Sequence, residues 1–299
     1  MLNKLNQERQ GEMVILSASA LWGLFPIITV LSYHALSPLM SLSVSTAFAA
    51  LFFGVVISFR KKWNEVFKKE SFKYILATTF ITGIIYYTLI FFALNYTSTG
   101  NVGIISLVEV FFSYVFFHVF KKDFIPKEHV LGAILMIFGA SIVLYPNLHE
   151  FKVGDILVLV ASMIAPFGNF FVRRARKIVG PEAIMFVRSF ICSIAFYILA
   201  VIFKSTATMG DIKSSFLFIF VNGIFLLGIS KIMWIEGIHR ISVTKANALS
   251  SLSPLLTLFF AWGILKTSPT NWQLISFIPM FFGILLLGKD LSKHKAIYK

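Results

Sequence analysis

A chain of 299 residues that is 58% hydrophobic and 13% charged, with a mean hydropathy of +0.84, has too little polar surface to cover a soluble globule. Its formal charge of +14 invites a nucleic-acid reading, but the basic residues gather on alternate connections between apolar runs, so they report orientation and argue against nucleic acid as a partner. The runs are long and do not alternate, which excludes a β-barrel and leaves an all-α integral membrane protein, each spanning helix satisfying its own backbone.

Ten spans can be drawn: Met13–Leu31, Pro38–Ser58, Tyr74–Leu94, Asn101–Val119, Val130–Leu144, Asp155–Val172, Ile184–Phe203, Ser215–Ile235, Ser242–Leu265 and Asn271–Leu287. The first follows a polar stretch with Lys4, Glu8 and Arg9 and has no small-residue cleavage site behind it, so it reads as a retained helix. Within it, Leu21-Trp22-Gly23-Leu24-Phe25-Pro26 predicts an interruption, repeated in the sixth span as Ala165-Pro166-Phe167-Gly168-Asn169. Paired breaks of this kind mark binding sites in repeat-built transporters, although a proline kink used only for packing would look the same.

The second span is rich in small residues, Ser41, Ser43, Ser45, Ala47, Ala49 and Ala50, which let helices approach closely. Its counterpart, the seventh, carries Arg188 where the second has Ser45. Arg188 is near enough to the span end to snorkel; alternatively it faces the bundle and meets a carboxylate or a substrate anion. The third span holds Tyr86 and Tyr87, and the eighth, 144 positions on, holds Ser230 and Lys231. Lys231 either reaches water along its four-carbon stem or is buried and needs a counter-ion, for which Glu109 is the one centrally placed carboxylate.

Glu109 is the feature that most needs a reason. On the fourth span Ser106, Glu109 and Ser113 fall three and four apart and make one polar stripe on an otherwise apolar helix. The ninth span repeats the stripe as Ser250, Ser253 and Thr257, with Asn247 a turn earlier and Pro254 beside it. Hydrogen bonding between helices accounts for the hydroxyls; it does not account for a carboxylate, since Gln would bond as well without ionising. The fifth and tenth spans close on Phe138-Gly139 and Phe282-Gly283 and are expected to pack the halves together or hold a second copy. Cys192, the lone cysteine, forms no internal disulfide and reads as a small packing residue.

The offset of 144 runs through these matches, so the chain contains a repeat of five spans, residues 1–147 and 148–299. Five is odd, so the second copy enters the bilayer from the opposite side, giving two inverted five-helix repeats. With the amino terminus cytoplasmic, 21 Lys and Arg fall on inside connections and 4 on outside ones, which puts both termini in the cytoplasm.

On these residues the chain resembles the drug/metabolite transporter superfamily, in its ten-helix branch with two EamA-type repeats. The likeness is carried by Leu21-Trp22-Gly23, by Asn95-Tyr96-Thr97-Ser98-Thr99-Gly100-Asn101 running into Ser106-Leu107-Val108-Glu109, by Arg188, by Ser250-Ser251-Leu252-Ser253-Pro254-Leu255, and by the two Phe-Gly pairs. The resemblance implies an exporter of amino acids or related metabolites in the inner (plasma) membrane, driven by a proton gradient or by exchange. Two departures stand out: Val110 occupies a position where proline commonly follows the glutamate, and Ser45 one where arginine is common.

Other classes lack their chemistry. Gly283 to Lys289 has the glycine and lysine spacing of a phosphate loop, but Asp290 follows in place of Ser or Thr and the interior is apolar. His149-Glu150 lacks a second histidine, and Asp123, Asp155, Asp211 and Asp290 sit at span ends, so neither zinc nor aspartyl proteolysis is supported and no metal or cofactor is expected. A passive channel would show charge rings or a backbone filter; a non-transporting scaffold or sensor would have no accessible cavity. The expected protein is a secondary transporter, monomeric or homodimeric. Its cavity is lined by spans 1, 3, 4, 6, 8 and 9, with Trp22, Phe25, Tyr86 and Tyr87 as aromatic surface. In this reading Asn169 and Asn247 join the Ser/Thr stripes as polar contacts, Glu109 takes a proton or an amine, and Lys231 or Arg188 takes a carboxylate.

Overall fold

A computed structural model describes residues 2–116, 127–147, 152–241, 246 and 249–287, and all of the regular structure among them is helical. Ten helices correspond to the ten spans, although residues 117–119 of the fourth span and 242–245, 247 and 248 of the ninth lie outside the described residues: α1 (Leu2–Ser32), α2 (Pro38–Arg60), α3 (Lys69–Tyr96), α4 (Thr99–Tyr114), α5 (Lys127–Leu144), α6 (Val153–Ala175), α7 (Pro181–Ile202), α8 (Phe216–Gly237), α9 (Ser253–Leu265) and α10 (Asn271–Leu287). Among the described residues, seven are long and apolar enough to cross a membrane unaided, while α4, α9 and α10 are shorter apolar helices. The protein is therefore a multi-pass membrane protein.

Local chemistry sets the helix ends. Ser37 caps α2 by accepting the Met40 amide, with Pro38 pre-set at the first turn, and α7 likewise starts at Pro181. Helices α2 and α9 stop on left-handed lysines, Lys61 and Lys266, whose charge suits the carboxyl end of a helix.

The helix packing repeats when the two halves are exchanged. Helix α1 packs on α8 and α9, as α6 packs on α3 and α4; α2 lies on α7, α5 on α10, and α4 on α9. The closest of these contacts depends on the Phe-Gly pairs. A Cβ at Gly139 would meet the Ser276 carbonyl at 2.8 Å and overlap Met280, and one at Gly283 would meet the Gly132 carbonyl at 2.8 Å. These glycines therefore pack one half against the other within a single chain.

The interruptions are paired, as expected, but they fall elsewhere. Helices α1 and α6 run unbroken through Pro26 and Pro166. In α1 the Thr257 hydroxyl, 2.9 Å from the Gly23 carbonyl, supplies a bond next to the carbonyl that Pro26 leaves without a donor. The irregular turns lie instead in α3 and α8, which widen to π-helix over Thr79–Ile85 and Val221–Ile229, just before Tyr86-Tyr87 and Ser230-Lys231. Helix α4, expected to be continuous, breaks at Ser106-Leu107, and Ser251-Leu252 makes the matching turn ahead of α9. The α4 break needs no proline: Ser106 Oγ bonds back to the Val102 carbonyl at 2.6 Å, and Leu107, Glu109 and Val110 make tightened amide bonds to residues three before them.

Connections meet in two groups. Those rich in basic residues come together where Arg60 pairs with Glu182, Gly180 donates its amide to Glu65, and Arg240 bonds Gln10 at 3.0 Å. At the opposite end Ser37 Oγ bonds the Ser205 carbonyl at 2.8 Å and Tyr145 packs on Trp272.

A charged and aromatic site inside the bundle

Glu109 enters the bundle in the first turn after the α4 break, half-buried, and its carboxylate accepts a hydrogen bond of 3.1 Å from the amide of Asn169 on α6. Asn169 is exposed and Glu109 half-buried, so protein covers the pair only in part. Lys231, on α8 just past the π-helical stretch, stands 3.6 Å over the ring of Trp22. Trp22 stacks on Phe25 at 4.8 Å and 8°, Phe25 meets the edge of Tyr87 at 6.1 Å, and the guanidinium of Arg188 lies 5.4 Å from the Tyr87 ring. Two cations thus bracket one aromatic wall built from α1 and α3.

Arg188 faces the bundle and does not snorkel: besides Tyr87, it donates to the Thr82 carbonyl at 3.0 Å. The π-helical turn makes this fit possible, since a Cβ at Gly83 would lie 3.4 Å from Arg188 and 2.6 Å from the sulfur of Cys192. Cys192 is 2% exposed and takes the packing role expected of it. Glu109, Lys231 and Arg188 fall within electrostatic reach of one another through Lys231, yet Glu109 and Lys231 form no direct ion pair. Tyr86, half-buried, sets its ring edge against Tyr87 at 5.4 Å and lies in reach of Glu109.

The hydroxyl stripes divide. Ser253 donates to the Ser19 carbonyl at 3.1 Å and Thr257 to that of Gly23, so these two stitch α9 to α1. Ser250 accepts from Ser19 at 3.3 Å and remains half-buried, as do Ser106 and Ser113 on α4. Asn247 lies outside the described residues. Sequence reasoning missed Thr82 and Gly83, which present Arg188; their only signal was a Thr-Gly step inside an apolar run. It also passed over Asp155 as a span-end residue, whereas it is 2% exposed and hydrogen-bonded.

The site's elements match a known family throughout. The model of the EamA-like transporter family matches residues 9–145 and again 152–289. An uncharacterized transporter of Synechocystis is 23% identical over 215 residues, 68% of this chain and 60% of that protein. The alignment thus spans less than two thirds of that relative's length. One of Archaeoglobus fulgidus is 24% identical over 272 residues, 89% of this chain and 80% of the relative. A solved crystal structure shares the fold with a TM-score of 0.70 at 15% identity, covering 94% of this chain and 97% of the other. With both halves matched, the chain belongs to the EamA-like transporter family.

Proposed function

We propose that the protein is a secondary transporter that exports a small amphipathic, amino-acid-like solute by alternating access. One observation carries this reading: a carboxylate and two cations converge on an aromatic wall inside a membrane bundle, where isolated charges are costly and mark a solute path. A solute carboxylate binds between Arg188 and Lys231, its amine is received by Glu109 and Asn169, and its apolar part lies on Trp22 and Tyr86, while Phe25, 4% exposed, backs the wall from within the core. Ser106, Ser113 and Ser250 supply further hydrogen bonds.

None of these three ions has a counter-ion in direct contact among the described residues. Both cations rest on rings, and such contacts are worth about 0.5–2 kcal/mol each, little enough to be exchanged for a carboxylate. Glu109 exchanges between a proton and the solute amine, which couples transport to the proton gradient. The halves 1–147 and 148–299 act as the two moving units, exchanging conformations about the shared cavity. The basic-rich end faces the cytoplasm of the inner membrane, by the 21 to 4 division of Lys and Arg.

The test is binding of a metabolite panel to purified protein, followed by counterflow in liposomes. Saturable counterflow of an amino-acid-like solute, accelerated by a proton gradient, is expected. Binding with no counterflow would instead indicate a sensor, and unsaturable flux a channel.

A further inference from the structure

At the end opposite the basic loops, four helix ends meet in a buried polar cluster that the solute site does not use. Asn101, in the first turn of α4, donates to both oxygens of Asp155 at 3.2 and 3.3 Å and accepts from the Gln273 amide of α10 at 2.7 Å. Thr97, at the end of α3, also donates to Asp155, and Gln273 reaches Ser98 at 3.1 Å. Asp155, Gln273 and Asn101 are 2%, 6% and 8% exposed. Two glycines allow the ends to close this tightly. A Cβ at Gly100 would meet Leu258 at 2.6 Å and Gln273 at 2.8 Å, and one at Gly154 would meet the Ala93 carbonyl at 2.7 Å.

We propose that this cluster, with Asn101 at its centre, is the latch that closes the solute cavity to the outside; the inference rests on the alternating-access reading above. Asn101 precedes Glu109 by eight residues along α4, across its break at Ser106-Leu107, so a path from this end to the carboxylate passes Asn101. On its outer side the latch is the floor of a cavity of about 210 Å³, lined also by Lys152 and Trp272. Asn101 belongs to the first half, whereas Asp155 and Gln273 belong to the second, so the bonds cross the line along which the halves part.

The chemistry suits a reversible closure. Shut, the Asn101 amide, itself held by Gln273, and the Thr97 hydroxyl satisfy a carboxylate that burial would otherwise penalise heavily. Opened, every member regains water, so the two states differ little in hydrogen-bond number and a solute can tip the balance. The repeat keeps these places at the basic end but changes their chemistry: the offsets of 143 and 144 put Glu12 opposite Asp155, His129 opposite Gln273 and Lys245 opposite Asn101. Of these, Lys245 lies outside the described residues.

The test reads accessibility from each face, without solute. In a Cys192→Ala background, a single reporter, Asn169→Cys, is labelled with a membrane-impermeant maleimide in right-side-out and inverted vesicles. The cytoplasmic face should label it and the outer face hardly at all. Gln273→Leu, which keeps the packing and removes the amide, should raise the outer rate about tenfold, the effect of one or two lost hydrogen bonds on an open population. Asp155→Ala should raise it at least as much, and Asp155→Asn less, because it retains one acceptor. Melting temperature in detergent selects the variants that are folded. An outer rate unchanged in folded Gln273→Leu and Asp155→Ala, with cytoplasmic labelling intact, overturns the latch alone. No labelling from either face overturns the cavity, and the latch with it.

Discussion

The amide of Asn169 donates to the carboxylate of Glu109 at 3.1 Å, tying the broken fourth helix of one half to the first helix of the other. Both sit where the repeats face each other, so a change in the charge of Glu109 acts on the contact between halves and, in the proposed transport reading, on the solute at once.

Glu109→Gln keeps an acceptor for Asn169 and removes the ionisable group. Transport driven by a proton gradient should be lost while the melting temperature in detergent stays within a few degrees of the parent. Retained gradient-driven transport, unchanged across pH, would remove the proton role from this residue.

Arg188 and Glu109 should separate the two ends of a zwitterionic solute. Arg188→Gln is expected to weaken binding of an amino acid by about tenfold or more, as for loss of a charge-assisted hydrogen bond worth roughly 1.5–3 kcal/mol, and to spare the corresponding decarboxylated amine. Glu109→Gln should weaken the amino acid and the amine alike and spare the corresponding deaminated acid. Isothermal titration with matched acid and amine pairs reads both, and equal losses for the two ligands would contradict the assignment.

Trp22→Leu removes the ring beneath Lys231 and the stack on Phe25. Because the solute's apolar part lies on this ring, its removal should weaken solute binding several-fold and leave transport saturable. A variant with unchanged affinity would place the aromatic wall outside the binding surface.

Gly139 and Gly263 offer a paired test of the fold. At Gly139 a side chain must displace the Ser276 carbonyl and Met280, so Gly139→Leu should cost about 1–3 kcal/mol by overpacking. At Gly263 nothing lies within 4 Å, and Gly263→Ala, inside α9, should be neutral or stabilising by up to about 1 kcal/mol. Thermal melts in one detergent decide it.

Outside the spans, Asp211 closes a capping box with Thr208, bonding the Thr208 hydroxyl at 2.7 Å and its amide at 2.8 Å. Hydrogen bonds from Thr208 hold its carboxyl below the usual value of 3.8. With the folded value lowered, the cap's contribution is present above 3.8 and disappears as pH falls through the folded value. Amide exchange over 208–214, compared with Asp211→Asn, should show protection at neutral pH that the variant lacks and that acid removes.

The sequence by itself determined the membrane class, the ten spans, the five-span repeat and the family, because hydropathy, positive charge and a fixed offset are properties of the chain read locally. It also singled out Glu109, Lys231 and Arg188, since a charge in an apolar run needs no coordinates to be conspicuous. Only the tertiary structure decided what each of them meets. Whether Arg188 snorkels or turns inward depends on Thr82 and Tyr87 across the bundle, and whether Ser253 and Thr257 are free depends on carbonyls of α1. The helix irregularities were misplaced for the same reason. Proline is visible in sequence, but its effect depends on a neighbouring hydroxyl, and the π-helical turns at Gly83 and Gly223 answer to close packing against the other half. Asp155, unremarkable at a span end, became a buried, hydrogen-bonded carboxylate because Asn101 and Thr97 close over it.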